Sequence, residues 1–399
     1  MIPTEPIGSI PRPPALIAAL REAAGGSRLA GAHDVQPGLL PGLQAGAQFH
    51  LQPETHLDAH LDAHRDAHLE ALLDALLDDA VRTTIAEFEA AGAPVISDGE
   101  QAKVENFWSY PVHGAPNTAP DGFRIPLAHG HGQRMPRLVR GPFRYQRYAD
   151  EFLRAARRYA TRPVKQAVIS PSALSLMYPA EGIPGYPREQ FLDDLVREHE
   201  TEVRRCLEAG AHKVQIDFAE ARLAMQLDPG GALLASFIDL NNLALSRFSP
   251  AQRALIGVHV SATGWTGTAR AEPDAVASYA ELLPALFELR AGNFYLALAG
   301  SREPEHTLRT IRAHARPDQR IFVGVTDPHD PRVESAELVR DRVLRAAEYI
   351  PVERLGTTDD AGFAPFFDDA GISRATAFAK IRARVEGTRL AAAILGAAA

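Results

Sequence analysis

Cysteine is nearly absent from this chain: among 399 residues only Cys206 carries a thiol. A single thiol excludes an intramolecular disulfide and any multi-Cys metal cluster. Also missing is an apolar run approaching the roughly 20 residues of a membrane span. The first residues, MIPTEPIGSIPRPP, lack the charged-then-apolar pattern of a signal peptide. Basic stripes are absent too: 42 Lys and Arg face 50 Asp and Glu, for a net charge of −8. No Lys/Arg cluster offers the surface that a nucleic-acid partner requires. Against these absences stand 46% hydrophobic and 23% charged residues, and enough chain for a large core. The composition is that of a cytoplasmic enzyme. Its expected partner is a small molecule, not nucleic acid or a membrane, and homo-oligomer formation is left open.

What is present is an alternation. Strand-like runs end at residues 94–98, 166–170, 213–217, 255–259, 294–298, 321–325 and 354–358, and Ile7-Gly8-Ser9 supplies an eighth. Amphipathic helical stretches such as 188–207 and 333–349 lie between them. Such alternation is the pattern of parallel βα units. Polar residues at the C-terminal ends of the strands predict an α/β fold, a (β/α)8 TIM barrel with its site at that face. One barrel domain is expected over residues 1–387, with a tail over 388–399. Two excursions interrupt it. A Gly-, Ala- and Pro-rich loop over 23–55 belongs to an insert reaching residue 80, and a hairpin occupies 101–150.

From His56 a tetrad repeats, HLDAHLDAHRDAHLEALLDALLDD. Side chains four apart share a helical face, so His56, His60, His64 and His68 form a slowly drifting stripe. Adjacent imidazoles are able to grip a divalent metal. Without supporting residues, however, the stripe specifies no geometry. A solvated helix continued by buried Leu72, Leu76 and Leu77 accounts for it more simply, and the active site is expected elsewhere.

The chemistry is expected at the strand ends. Ser97-Asp98-Gly99-Glu100, Asp217-Phe218-Ala219-Glu220, His259-Val260-Ser261, Asp327-Pro328-His329-Asp330 and Thr358-Asp359-Asp360 bring carboxylates and two histidines to one mouth. This set suits an amine-bearing or otherwise cationic substrate and proton transfer. Ser97, Asp330 and Asp359 serve equally well as helix N-caps. Glu100, Asp217 and His259 stand at the strand tips themselves, where function outweighs capping.

These same places carry a resemblance. Ile7-Gly8-Ser9-Ile10-Pro11, Asp98-Gly99-Glu100, Gln215-Ile216-Asp217, His259-Val260-Ser261, Asp327-Pro328-His329 and Asp360-Ala361-Gly362 fall in order along nearly the whole chain. Together they resemble the C-terminal catalytic barrel of cobalamin-independent methionine synthase. In that family a zinc-bound homocysteine thiolate attacks the N5-methyl group of a methyltetrahydrofolate. The resemblance implies that Ile7, Gly8 and Ser9 hold an amino acid's carboxylate and that Glu100 and Asp217 hold its ammonium. It also implies that His329 acts as an acid.

The family's zinc is held by His-x-Cys after the fifth strand, Cys-Gly after the eighth and often a Glu at the end of the sixth. Here those places read His259-Val260-Ser261, Ala361-Gly362 and Leu296-Ala297-Leu298-Ala299. A lone histidine beside an un-ionised serine is not a zinc ligand set, so zinc is not expected. Cys206 lies on a helix as a core thiol and does not substitute. Without zinc, a homocysteine thiol stays largely protonated at neutral pH. Three readings stay open. In the first, a zinc-free enzyme anchors a small amino-acid-like or polar substrate through Ser9, Glu100, Asp217, Ser261, Asp327 and Trp265. His259, His329 and Asp360 then act as acid/base groups in a group transfer or an elimination. In the second, His259, His329 and either Asp327 or Asp360 hold Fe(II) or Mn(II). In the third, the chain is a catalytically inactive binding homologue. Retained folate-type methyl transfer is a further alternative. Only Tyr178 stands where the family stacks its pterin, and Trp108 and Trp265 are the other stacking surfaces available.

Overall fold

The computed structural model describes residues 1–26, 56–103, 106–126, 132–262, 279–369 and 371–397. Most of the loop expected over 23–55 lies outside these residues, as does Trp265. The loop's first residues close the helix Pro14–Gly26.

The centre is a parallel six-stranded sheet. In chain order, four short strands precede it: β1 (Thr118–Ala119), β2 (Arg124–Pro126), β3 (Gly132–Arg134) and β4 (Arg137–Leu138). The sheet itself is β5 (Gln166–Ile169), β6 (Val214–Asp217), β7 (Ile256–Val260), β8 (Asn293–Leu296), β9 (Arg320–Thr326) and β10 (Leu355–Asp359), in that spatial order. Six of the expected runs therefore pair as ladders. The other two do not. The N-terminal segment meets β10 at a single parallel bridge, Thr4 to Thr357, and Ile96 meets the β5 side at Val164. Proline explains the difference. Pro3, Pro6, Pro11 and Pro94 carry no N–H, and a strand so interrupted cannot sustain a ladder. Individual bonds join the two segments instead: Ile10 N–H donates to Gly99 C=O at 3.0 Å, and Ser97 Oγ–H to Gly8 C=O at 2.9 Å.

Alternation along the strands sorts the side chains. Val168, Ile216, Val258, Phe294 and Ile321 are buried in the main apolar cluster with Phe191, Leu195, Val203 and Cys206 of the helix Arg188–Glu208. Each such buried side chain contributes about 1.5–3 kcal/mol of transfer free energy. The helix stops because Gly210 adopts φ 82°. Ala211 N–H then returns to Cys206 C=O and Gly210 N–H to Leu207 C=O, which satisfies the last carbonyls. On the opposite strand faces, Tyr295 and Phe322 stack with centroids 4.7 Å apart. They fill room left by Gly257 and Gly356, where a Cβ would lie 2.5 and 2.4 Å from those rings.

The expected excursion over 101–150 is a nested pair of antiparallel ribbons, β1 with β4 and β2 with β3. It rejoins the main core through Met135, Leu138 and Phe143. The His-rich segment is the start of one uninterrupted helix, His56–Ala90, so nothing breaks at residue 80. Leu76 and Leu77 are half-buried as expected, but Leu72 is 42% exposed and Leu73 takes the inward place. A helical face advances by three or four residues, which selects 73, 76, 77 and 80 over 72. At the other end the helix Arg374–Ile394 runs straight through the boundary expected at 387. Its Ala391 and Ala392 are buried in the core, so residues 388–394 are not a tail.

Candidate active site

The C-terminal ends of the strands open into a cleft. Its polar lining is Ser9, Glu100, Asp217, His259, Ser261 and His329, and its apolar lining includes Ile7, Phe107, Pro365 and Phe366. With Ala361 and Gly362, which also line the cleft, residues from six separate segments are thus brought together.

Asp217 and His259 face each other because β6 and β7 pair them in register. His259 Nδ1 lies 3.1 Å from Asp217 Oδ1, and its Nε2 is buried with no protein partner. Asp217 Oδ1 also accepts from Gln215 Nε2 at 2.8 Å.

Glu100 is placed by a strained turn. Gly99 has φ 67° and Glu100 itself φ 55°, the left-handed region that side-chain-bearing residues seldom adopt. The turn is held from inside: Ser97 Oγ accepts Gly99 N–H, and Asp98 Oδ1 accepts Glu100 N–H. Arg12 clamps it from behind, donating to the carbonyls of Glu100 and Lys103 at 2.7 Å each and to that of Phe366 at 3.3 Å. Glu100 Oε1 receives the buried Lys103 ammonium at 2.9 Å. Burial raises the Glu100 pKa more than Lys103 lowers it. Lys103 itself is depressed by burial but held above its usual value by Glu100, Asp217 and Asp98. Gly8 makes room for this carboxylate, since a Cβ there would lie 3.3 Å from Glu100 Oε1. Two carboxylates against one ammonium leave the cleft floor acidic.

Ser9 joins the N-terminal segment to the loop after β10: its Oγ accepts Ala364 N–H at 3.2 Å and its carbonyl accepts Phe363 N–H at 2.9 Å. Phe107 and Phe366 meet edge to face, with centroids 6.4 Å apart. His329 stands at the exposed rim, where the protein packed around it lowers its pKa below the usual histidine value.

Other expected residues do not line the cleft. Both Asp360 oxygens are taken by backbone amides, Oδ1 by Leu298 and Ala299 at 2.8 and 2.9 Å and Oδ2 by Gly300 at 2.7 Å. Burial nevertheless raises its pKa to about 6. Asp360 therefore holds the turn after β8. Asp327 Oδ1 caps His329 N–H at 2.9 Å and so orients the rim. Tyr178 stacks on Phe191 at 5.2 Å and donates to Tyr186 C=O, and Trp108 is buried in the main cluster. Neither ring faces the cleft, where Phe107 and Phe366 supply the aromatic surface. Those two, with Arg12 and Lys103, are the site residues that sequence reasoning missed. Glu100-Gln101-Ala102-Lys103 does carry an i,i+3 charge pair, a signal that was available.

Zinc does not fit this residue set. His259 is in place, but Ser261 and Ala361 beside it offer no thiolate, and residues 297–300 after β8 offer amides to Asp360 and no carboxylate. Among the described residues no three His, Cys, Asp or Glu side chains gather to hold a metal. Cys206 is fully buried in the core, and burial pushes its thiol pKa well up. None of the described helices is long and apolar enough to cross a membrane.

Comparison with known proteins places this cleft in context. Residues 279–380 match the catalytic domain of cobalamin-independent synthase. The 2-hydroxypropyl-CoM lyase of Xanthobacter autotrophicus is 29% identical over 168 residues, 37% of this chain. The match spans 43% of that lyase's length. A B12-independent methionine synthase from Shewanella, solved with selenomethionine, superposes with a TM-score of 0.67 at 18% identity, covering 100% of this chain and 99% of that one. A Listeria monocytogenes structure assigned to the same synthases gives 0.61 at 17% identity, covering 98% and 96% of the two chains. The fold is therefore the α/β fold of these TIM-barrel proteins. The chain resembles the cobalamin-independent methionine synthases, as its strand-end motifs imply.

Proposed function

We propose that this methionine-synthase-like chain is an enzyme working without zinc on a small substrate that carries a cationic group, by elimination through proton transfer at His259. The observation that carries this reading is the orientation of His259, a cleft-lining residue whose Nδ1 is engaged by Asp217 and whose buried Nε2 has no protein partner. An imidazole held this way by a carboxylate is a general base. The substrate's ammonium sits against the acidic floor formed by Glu100 and Asp217, and its apolar part against Phe107, Pro365 and Phe366. His259 Nε2 takes a proton from carbon, the C–H electron pair becomes the new π bond, and the leaving group departs with its own bonding pair. His329 at the rim, whose lowered pKa leaves a small and strongly acidic protonated fraction, relays to the leaving group a proton drawn from solvent. The lyase relative supports elimination over methyl transfer, and the absence of thiolates beside His259 supports a reaction with no metal-bound nucleophile.

The test is proton NMR of the purified protein in D2O with a panel of small amines and amino acids, methionine and homocysteine included. Exchange of a substrate C–H and release of a leaving group are expected, with loss of at least about a hundredfold in His259→Ala. Stoichiometric zinc in the active protein, or turnover that survives His259→Ala, would overturn the reading.

A further inference from the structure

We infer that Lys165 and Gln215, neither of which lines the cleft, are positioning residues that fix the tautomer of His259. The side-chain amide of Gln215 is free in principle to present either its oxygen or its nitrogen toward Asp217. Lys165 removes that freedom. Its Nζ donates to Gln215 Oε1 at 2.6 Å. Burial lowers the Lys165 pKa to about 7 against the pull of Glu5, and in the ammonium form that holds up to that pH it has only donors to offer. The amide nitrogen must then face Asp217, where it donates to Oδ1 at 2.8 Å. Flipping the amide would set an NH2 group against an ammonium and a carbonyl against a carboxylate, two clashes of like polarity. The Gln215 bond holds Oδ1, an acceptor, in place against its other neighbour, His259 Nδ1, and without it the carboxylate is free to turn away. Nδ1 then carries the hydrogen, and Nε2 keeps the lone pair.

Lys165 cannot swing away from this duty. It is fully enclosed, with Nζ 3.9 Å from the centre of the Tyr295 ring. Tyr295 O–H in turn donates to Glu5 at 2.6 Å, and Glu5 also pairs with Lys213. The chain of contacts runs from Glu5 in the N-terminal segment through the sheet interior to the cleft. Its central links, Gln215, Asp217, His259 and Tyr295, lie on β6, β7 and β8, where the register sets Gln215 beside Gly257, Asp217 beside His259 and His259 beside Tyr295.

This inference deepens the reading of His259 as a base, yet its readout needs no turnover. The full chain labelled with 15N-histidine is examined by long-range 1H–15N correlation near pH 7, with the His259 signal assigned by its loss in His259→Gln. The wild type is expected to show the Nδ1–H tautomer alone. Lys165→Met and Gln215→Leu should each lose that single signature and show a second tautomer, while the remote buried His199 keeps its wild-type signals as the sign of an intact fold. An Nε2–H tautomer in the wild type overturns the inference even if neither variant folds. So does a His259 signal unchanged in a folded Lys165→Met protein. The expected tautomer without any turnover would sink the elimination reading and leave this one standing.

Discussion

Glu100 sits where it does because one glycine precedes it. The left-handed angle at Gly99 is inexpensive for glycine and costs about 1–2 kcal/mol for any other L-residue. A Cβ there would also lie 2.6 Å from Thr84 Cγ2. Gly99→Ala is therefore expected to lower stability by roughly 2 kcal/mol or more and to weaken binding of a cationic ligand, because the turn that aims Glu100 must shift. Chemical denaturation and calorimetric titration of the same sample check both effects. Single residues were also where sequence reading did best. Ser9, Glu100, Asp217, His259, Ser261 and His329 all line one cleft, as strand-end logic expects. Asp360 shows its limit. A carboxylate at a strand tip either faces a ligand or holds a neighbouring turn, and the sequence around it does not distinguish the two. Three backbone amides decide the matter in space.

Among the elements, the helix Arg374–Ile394 carries the clearest consequence. Its residues beyond 387 read as an Ala-rich tail, yet Thr388 Oγ1 meets Thr357 Oγ1 of β10 at 2.8 Å. Further along, Ala391 and Ala392 pack in the core. One turn earlier, Arg384 pairs with Asp359 and donates to Thr4, tying the N-terminal segment down. Truncation after Gly387 should therefore lower the melting temperature by about 5 °C or more. An unchanged melting curve would show that the last turns are dispensable. The six ladder strands were legible as short runs rich in β-branched or aromatic residues, five of them ending at or next to a polar residue and β8 in Leu296. The ends of the barrel were not, since proline preserves the hydrophobic pattern of a strand while removing the donors that make a ladder. Helix ends failed for the opposite reason: alanine continues a helix without announcing which face is buried.

For the molecule as a whole, buried carboxyls set the response to pH. Burial raises Glu202 and Glu220 to about 7 and Asp360 and Asp369 to about 6. Each is protonated longer in the folded than in the unfolded chain. Their stabilising effect is complete below about pH 4 and is lost as pH rises through 6 and 7. His199, lowered to about 4 by burial, works the other way below about pH 6.5, and Lys165, lowered to about 7, does so above about pH 7. Asp98 and Glu100, also raised by burial, add to the four carboxyls. The melting temperature is thus expected to fall from pH 5 to pH 7.5. Glu220→Gln should flatten that fall and stabilise the protein at pH 8 by on the order of 1–2 kcal/mol, as calorimetry across pH would read. The seam between the N-terminal segment and residues 94–99 has its own consequence at this scale. Asp217 and His259 rest on laddered strands, whereas Ser9 and Glu100 rest on segments joined by scattered bonds. A ligand is therefore gripped between a stiff jaw that bears the base and a yielding jaw that bears the anchors, so the seam can give way without disturbing the base.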